Sequence, residues 1–328
     1  MPINVHSHIY LPEYVELLRR RREPPRVVNQ DGVDRLLIVP GEGASGGVPG
    51  RPMDPSYWSV THTLEYMARH EIDVTVLSLG NPWLDFLDPQ AAAVWAGRLN
   101  RALARLCEDH PGRLYGLGVL PLQRPETAAS ELGHLAGLPG IRGAIIGTRG
   151  AGQGLDDPAL DPVWARAEAL DLALFVHPHY GIGTDLLGPQ AYALNFALGF
   201  LFETTIAVAR LILSGVPDRF PRLRLLIAHG GGTLPYLVGR LDNGARAYVP
   251  GLKRLPSEDL RRLSYDVTVY HAPAVTCALE SVGSDRLMFG TDHPFRKDPS
   301  DVYRSLAGLA SADREAILNR TASAFFRL

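Results

Sequence analysis

Eight short apolar runs, each followed by a longer stretch with helical spacing, constrain this chain more than any other feature. The runs are INVHSHI (3–9), DVTVLSL (73–79), LYGLGVLPL (114–122) and IRGAIIGTR (141–149), then LALFVHPH (172–179), LRLLIAHGG (223–231), LSYDVTVY (263–270) and RLMFGTDHP (286–294). Between them lie segments such as DPQAAAVWAGRLNRALARLCEDH, whose Ala, Val, Leu and Trp recur three and four residues apart, the period of a helix with one buried face. Strands that alternate with helices imply a parallel sheet. Eight such units in about 300 residues predict an α/β fold, the (β/α)8 TIM barrel. A doubly wound sheet needs a glycine-rich phosphate turn after its first strand; here that position reads H-S-H-I-Y. The expectation is therefore one barrel domain over residues 1–328. A stretch rich in Pro, Gly and Arg, about residues 24–57, does not fit the repeat. It predicts a small insertion after strand 1 on the catalytic face, part hairpin and part mobile lid.

Composition narrows the function classes. With 33 basic against 35 acidic residues, there is no electrostatic footprint for nucleic acid. No charged segment precedes an apolar core at the N-terminus, and no apolar run reaches the roughly 18 residues of a spanning helix. A cytoplasmic protein with no membrane partner is expected. Cys107 and Cys277 fall in helical patterns and read as packed thiols. His62, His70, His110 and His134 also fall on helices and read as surface or packing residues.

In barrels of this kind the chemistry sits at the carboxyl ends of the strands. Those ends carry His6 and His8 on the first strand, His177 on the fifth, His229 on the sixth and Asp292 on the eighth. Residues two apart on a strand share a face, so H-x-H places two imidazoles side by side. Chance would place one or two of 11 histidines at these ends. Four with an aspartate point to a metal site. Imidazoles with a carboxylate suit a borderline divalent ion such as zinc, with manganese or iron as alternatives.

The stretches VHSHI, GLGVLPLQRPETAASEL, LFVHPH, ETTIAVARLILSGVPDRFP, IAHGGGTLPYLVGRLDN and FGTDHPF resemble the amidohydrolase superfamily over essentially the whole chain. Within it they are similar to the amino-carboxymuconate-semialdehyde decarboxylase branch. The resemblance implies that His6, His8, His177 and Asp292 hold the metal, and that His229 is the general acid/base acting on the metal-bound water, with Asp292 passing the proton further. It also implies that Arg51 and Arg240 clamp substrate carboxylates, Arg240 reaching across a homodimer from the neighbouring subunit. Binuclear relatives bridge two metals through a carboxylated lysine on strand 4. That strand has no lysine here, and the chain's only lysines are Lys253 and Lys297, so one metal is expected.

The chain departs from that branch at three pocket positions. His179 stands where a Trp follows the HP pair, His293 where a Tyr follows GTD, and Phe196 where a Trp precedes the ETT helix. These three are expected to touch substrate. His179, His293 and His271 are also candidates for a second metal. Glu203 reads as a first-turn helix cap. The expected activity is non-oxidative decarboxylation of a small aromatic or unsaturated carboxylic acid. The alternatives are a metal-dependent hydrolase or hydratase, and an iron enzyme that activates oxygen.

Overall fold

The computed structural model describes residues 1–38, 42, 50–183 and 194–328. In chain order, β1 (Ile3–Ile9) is followed by a small antiparallel sheet of β2 (Arg26–Gln30), β3 (Val33–Leu37) and β4 (Arg51–Pro52). Seven further strands complete the main sheet: β5 (Val74–Leu79), β6 (Leu114–Val119), β7 (Ile141–Gly147), β8 (Ala173–His177), β9 (Arg224–Ile227), β10 (Ser264–Asp266) and β11 (Leu287–Met288). Its order is β1-β5-β6-β7-β8-β9-β10-β11, and every pairing is parallel. The sheet closes on itself, because the Val5 amide donates to the Phe289 carbonyl at 2.9 Å and the Asp292 amide to the His6 carbonyl at 2.8 Å. The expected (β/α)8 barrel is what forms.

Helices over Pro89–Glu108, Pro125–Ala136, Asp161–Leu170, Phe200–Leu213, Leu234–Tyr248 and Ala272–Val282 return the chain between strands. Because helices cover the outer face and side chains fill the interior, the strands read as nearly continuous apolar runs. All residues of β1, β5 and β8 are buried.

The first part of the insertion is a hairpin. Asp31 and Gly32 turn the β2–β3 hairpin with φ of 52° and 81°, the paired positive φ values of a type I′ turn, for which Asp-Gly is a preferred sequence. The central part of the expected lid, residues 39–41 and 43–49, lies outside the described residues.

One expectation about apolar runs needs correction. Asn195–Leu213 forms a 19-residue helical segment of mean hydropathy 1.8, long and apolar enough to cross a membrane. Half of that stretch is buried inside the protein, as in a helix that contributes to a core. The run is hidden in the sequence because Glu203 and Arg210 interrupt it.

Strand spacing tolerates little at Gly143 of β7, where a Cβ atom would sit 1.9 Å from the Ala173 carbonyl oxygen of β8. Gly143→Ala is expected to destabilise the barrel by about 3 kcal/mol, read as a fall of several degrees in Tm by calorimetry. An unchanged Tm would show that β7 and β8 can part without cost.

Candidate active site

A cavity of about 660 Å³ opens at the carboxyl ends of the strands, bounded by His177, His229, Asp292, Arg51, Phe196 and Tyr270 among others. That volume suits a small organic molecule. At its floor β1 delivers His6 and His8, side by side as a strand's period of two requires. Their Nε2 atoms are 3.0 Å apart, and the Oδ1 atom of Asp292 lies 3.3 Å from the first and 3.4 Å from the second. Donor atoms of His6, His177, His229 and Asp292 fall within 4.8 Å of one another. The barrel thus gathers all five residues expected from the strand ends.

The partners of the other ring nitrogens show that the cluster suits a cation. His177 Nδ1 donates to the Pro178 carbonyl at 2.7 Å. His6 Nδ1 donates to the Asp266 carboxylate at 2.7 Å. His8 Nδ1 meets the Ser78 hydroxyl at 2.9 Å, and that hydroxyl itself donates to the Ser7 carbonyl. Each partner takes the Nδ1 proton, so each ring turns Nε2 inward as the ligating atom. His177 Nε2 and Asp292 Oδ1 are buried without a hydrogen-bond partner. Buried polar atoms are seldom left so, and a divalent ion among them would satisfy both.

Electrostatics agree with that reading. Burial by itself lowers the His6 pKa, but the Asp266 and Asp292 carboxylates on either side raise it to about 9. His8, buried beside the His6 charge, is pushed down to about 4, and burial holds His177 well below its ordinary value. Burial would raise Asp292, yet the His6 charge and the close approach of the His6 and His8 rings keep it well below the usual carboxylate range. The site is built to hold positive charge between two carboxylates. His229, lowered by burial and then by His6, favours the neutral form.

Left-handed backbone concentrates around the same floor. His229, Tyr270 and Asp292 have φ of 55°, 56° and 61°. Such values are uncommon for residues other than glycine, and they cluster where surrounding structure must aim a side chain.

Two residues important to this geometry escape the sequence patterns. Asp266 ends β10, fully buried, and its carboxylate also accepts from the Thr268 amide at 2.9 Å. Its only signal is a lone acid in an otherwise uncharged strand. Glu203 does lie in the first turn of its helix, but its carboxylate caps a different segment. Oε2 accepts from the amides of His179, Tyr180 and Gly181 at 3.2, 3.2 and 2.6 Å, and Oε1 accepts from the Thr148 hydroxyl at 2.6 Å. It fastens the loop that follows His177.

A family model described as amidohydrolase matches residues 3–328. The chain belongs to the amidohydrolase family. Among curated relatives it is 32% identical over 290 residues to a 2-amino-3-carboxymuconate-6-semialdehyde decarboxylase of Dictyostelium discoideum, covering 85% of this chain and 79% of the relative. It is 30% identical over 311 residues to a gamma-resorcylate decarboxylase of Rhizobium sp. strain MTP-10005, covering 87% and 93%. Among solved structures, the apo IDCase of Metarhizium anisopliae superposes with a TM-score of 0.94 at 36% identity, covering 100% of this chain and 97% of that one.

Within this amidohydrolase the remaining expected residues divide. Arg51, on β4, lines the cavity with its guanidinium 4.6 Å from the Phe196 ring centre and 4.1 Å from that of Phe295. Phe196 lines it too. His179 does not: it is fully buried, with Nδ1 2.9 Å from the Asp85 carboxylate and Nε2 donating to the Pro82 carbonyl. His293 is likewise enclosed, its ring 4.1 Å from that of Tyr66, while its carbonyl accepts from the His8 amide. Neither is placed to touch substrate, so both expectations are corrected: the loop carrying Pro82 and Asp85 supplies partners for the His179 ring, and the His293 ring packs against Tyr66 of the Val60–Arg69 helix. His271 is exposed at the cavity rim. Among the described residues the floor holds the one cluster of three or more metal-capable side chains, so His179, His293 and His271 assemble no second site. Arg240 is exposed on its helix and makes no ion pair among the described residues, and its neighbour Asp242 instead caps Ser257.

Asp266→Asn is expected to weaken metal binding about 10- to 100-fold, since partners of a ligating histidine orient it and raise its basicity. Competition against a chromophoric chelator measures this. Affinity equal to the parent protein would show that Asp266 is not needed to orient His6.

Proposed function

We propose that this amidohydrolase is a metal-dependent, non-oxidative decarboxylase acting on a small aromatic carboxylic acid. The observation that carries the reading is a floor of unpartnered, inward-turned donors beneath a cavity walled by an arginine and aromatic rings, in a chain whose relatives bear decarboxylase names. His6, His8, His177 and Asp292 would hold one divalent ion, for which we propose zinc, because nitrogen-rich sets with one carboxylate suit it. When bound, the ion supplies Lewis-acid chemistry, drawing the acid's oxygens toward it and making water more acidic.

The chain's own residues do the rest. Arg51 offers a guanidinium fork to an anionic oxygen, and the flanking phenyl rings fix its plane. His229 has an unpartnered Nδ1 and a lowered pKa, so its protonated form gives up the proton readily. In the proposed reaction His229 moves that proton to the ring carbon bearing the carboxylate. The bond to the carboxylate then breaks, CO2 leaves, and the bonding pair restores the aromatic ring.

A homodimer accompanies this reading. The Asn195–Leu213 segment exposes Leu198, Phe202 and Ile206, spaced four apart as a stripe, and the Leu234–Tyr248 helix exposes Tyr236 and Tyr248 on the element that carries Arg240. Apolar stripes of this kind favour a partner surface. An exposed arginine without an acidic partner beside them supports the reading that Arg240 serves the other subunit's cavity.

The deciding assay measures CO2 from 2,6-dihydroxybenzoate and related ring acids. Activity should fall to background after chelation and return with about one zinc per chain, while His229→Asn should lower kcat about 10²- to 10⁴-fold with metal content unchanged. Two irons per chain with oxygen uptake would favour the oxidative reading instead, and ester cleavage without CO2 the hydrolytic one. For the dimer, mixing Arg240→Ala protein with His229→Asn protein should restore about a quarter of the parent activity, because half the random dimers carry one intact site. No recovery on mixing would exclude a shared site.

A further inference from the structure

A second cation stands in the cavity wall, and the decarboxylation chemistry does not use it. Arg296 lines the cavity. Its amide donates to the Asp292 carbonyl at 3.0 Å, which starts its side chain one turn beyond the carboxylate on the floor. The guanidinium lies 4.3 Å from the centre of the Tyr270 ring, and Nη2 is ion-paired to Asp301. Asp301 is shared with Arg304, so the trio keeps a net positive charge. Stacking occupies a face of the guanidinium and Asp301 takes one edge; the described residues provide no second acceptor. The remaining N–H groups, out of five, are left for whatever enters the cavity.

A guanidinium held by a ring and a carboxylate is already oriented, so it loses little side-chain entropy on binding. The reacting carboxylate already has Arg51 and the metal floor. A further fixed cation matches a further anionic oxygen, and against a ring lacking one it would be desolvated without return.

We infer that Arg296 is a specificity residue that selects aromatic acids bearing a second oxyanion, a carboxylate or an acidic ring oxygen, apart from the carboxylate that is lost. The inference rests on the decarboxylase reading for the class of ring acid, but its test does not require turnover.

Zinc-loaded protein is titrated by calorimetry with benzoate and with benzene-1,3-dicarboxylate. The parent should bind the dicarboxylate at least about tenfold tighter. Arg296→Gln should bring the two affinities within about twofold of each other, with benzoate binding little altered, since a charge-assisted bidentate contact accounts for the difference. Asp301→Asn, which leaves the guanidinium but frees it to move, should lower the preference about threefold and serves if Arg296→Gln does not fold. A parent without preference, or a preference that survives in the folded variants, would overturn the assignment. If the ratio behaves as expected while no ring acid releases CO2, the specificity stands and the reaction class fails. If CO2 is released while the ratio stays unchanged in the variants, the reaction class stands and the specificity fails.

Discussion

Everything at the floor of this barrel depends on one imidazole held between two carboxylates. His6 lies between Asp266 and Asp292, out of contact with water. Its charge in turn holds Asp292 ionised against burial, and adds to the burial that lowers His8 and His229. Those carboxylates come from the end of β10 and from the loop after β11, and the histidine from β1, so the site exists only when the last strands return to the first. The amide of Asp292 bonds the carbonyl of His6. Closing the barrel and assembling the metal-binding set are therefore a single structural event, and a chain that fails at the seam loses both.

Much of this is legible in the amino-acid order alone. The alternation of apolar runs with helical spacing has one economical solution in a closed parallel sheet, and strand ends have a fixed chemical meaning in that fold. That is why His6, His8, His177, His229 and Asp292 converge as expected. What escapes is everything set by a neighbour distant in sequence. His179 carries the same ring as His177 two positions earlier, yet Asp85 and the Pro82 carbonyl draw it into the wall. His293 follows a site residue and is enclosed against Tyr66. Glu203 looks like a cap for its own helix because its real partners, three amides of another loop, carry no side-chain signature.

The cavity divides its labour by element. The floor comes from the strand ends. One side is the small sheet, which brings Arg51 between Phe196 and Phe295, and the other is the segment after β10 with Tyr270, against which Arg296 stacks. In both places an aromatic ring fixes the plane of a guanidinium. This gives direction to a charge without a second buried acid, whose own desolvation would have to be offset.

The grip of Glu203 on residues 179–181 has a consequence for how such a scaffold diversifies. The segment that carries Glu203 also contributes Phe196 and Phe200 to the cavity, so remodelling that wall for a new ring shape disturbs the loop just past His177. A lineage exploring new acids is steered away from it. The freer ground is the small sheet around Arg51 and the segment around Arg296, where replacements leave that anchor intact.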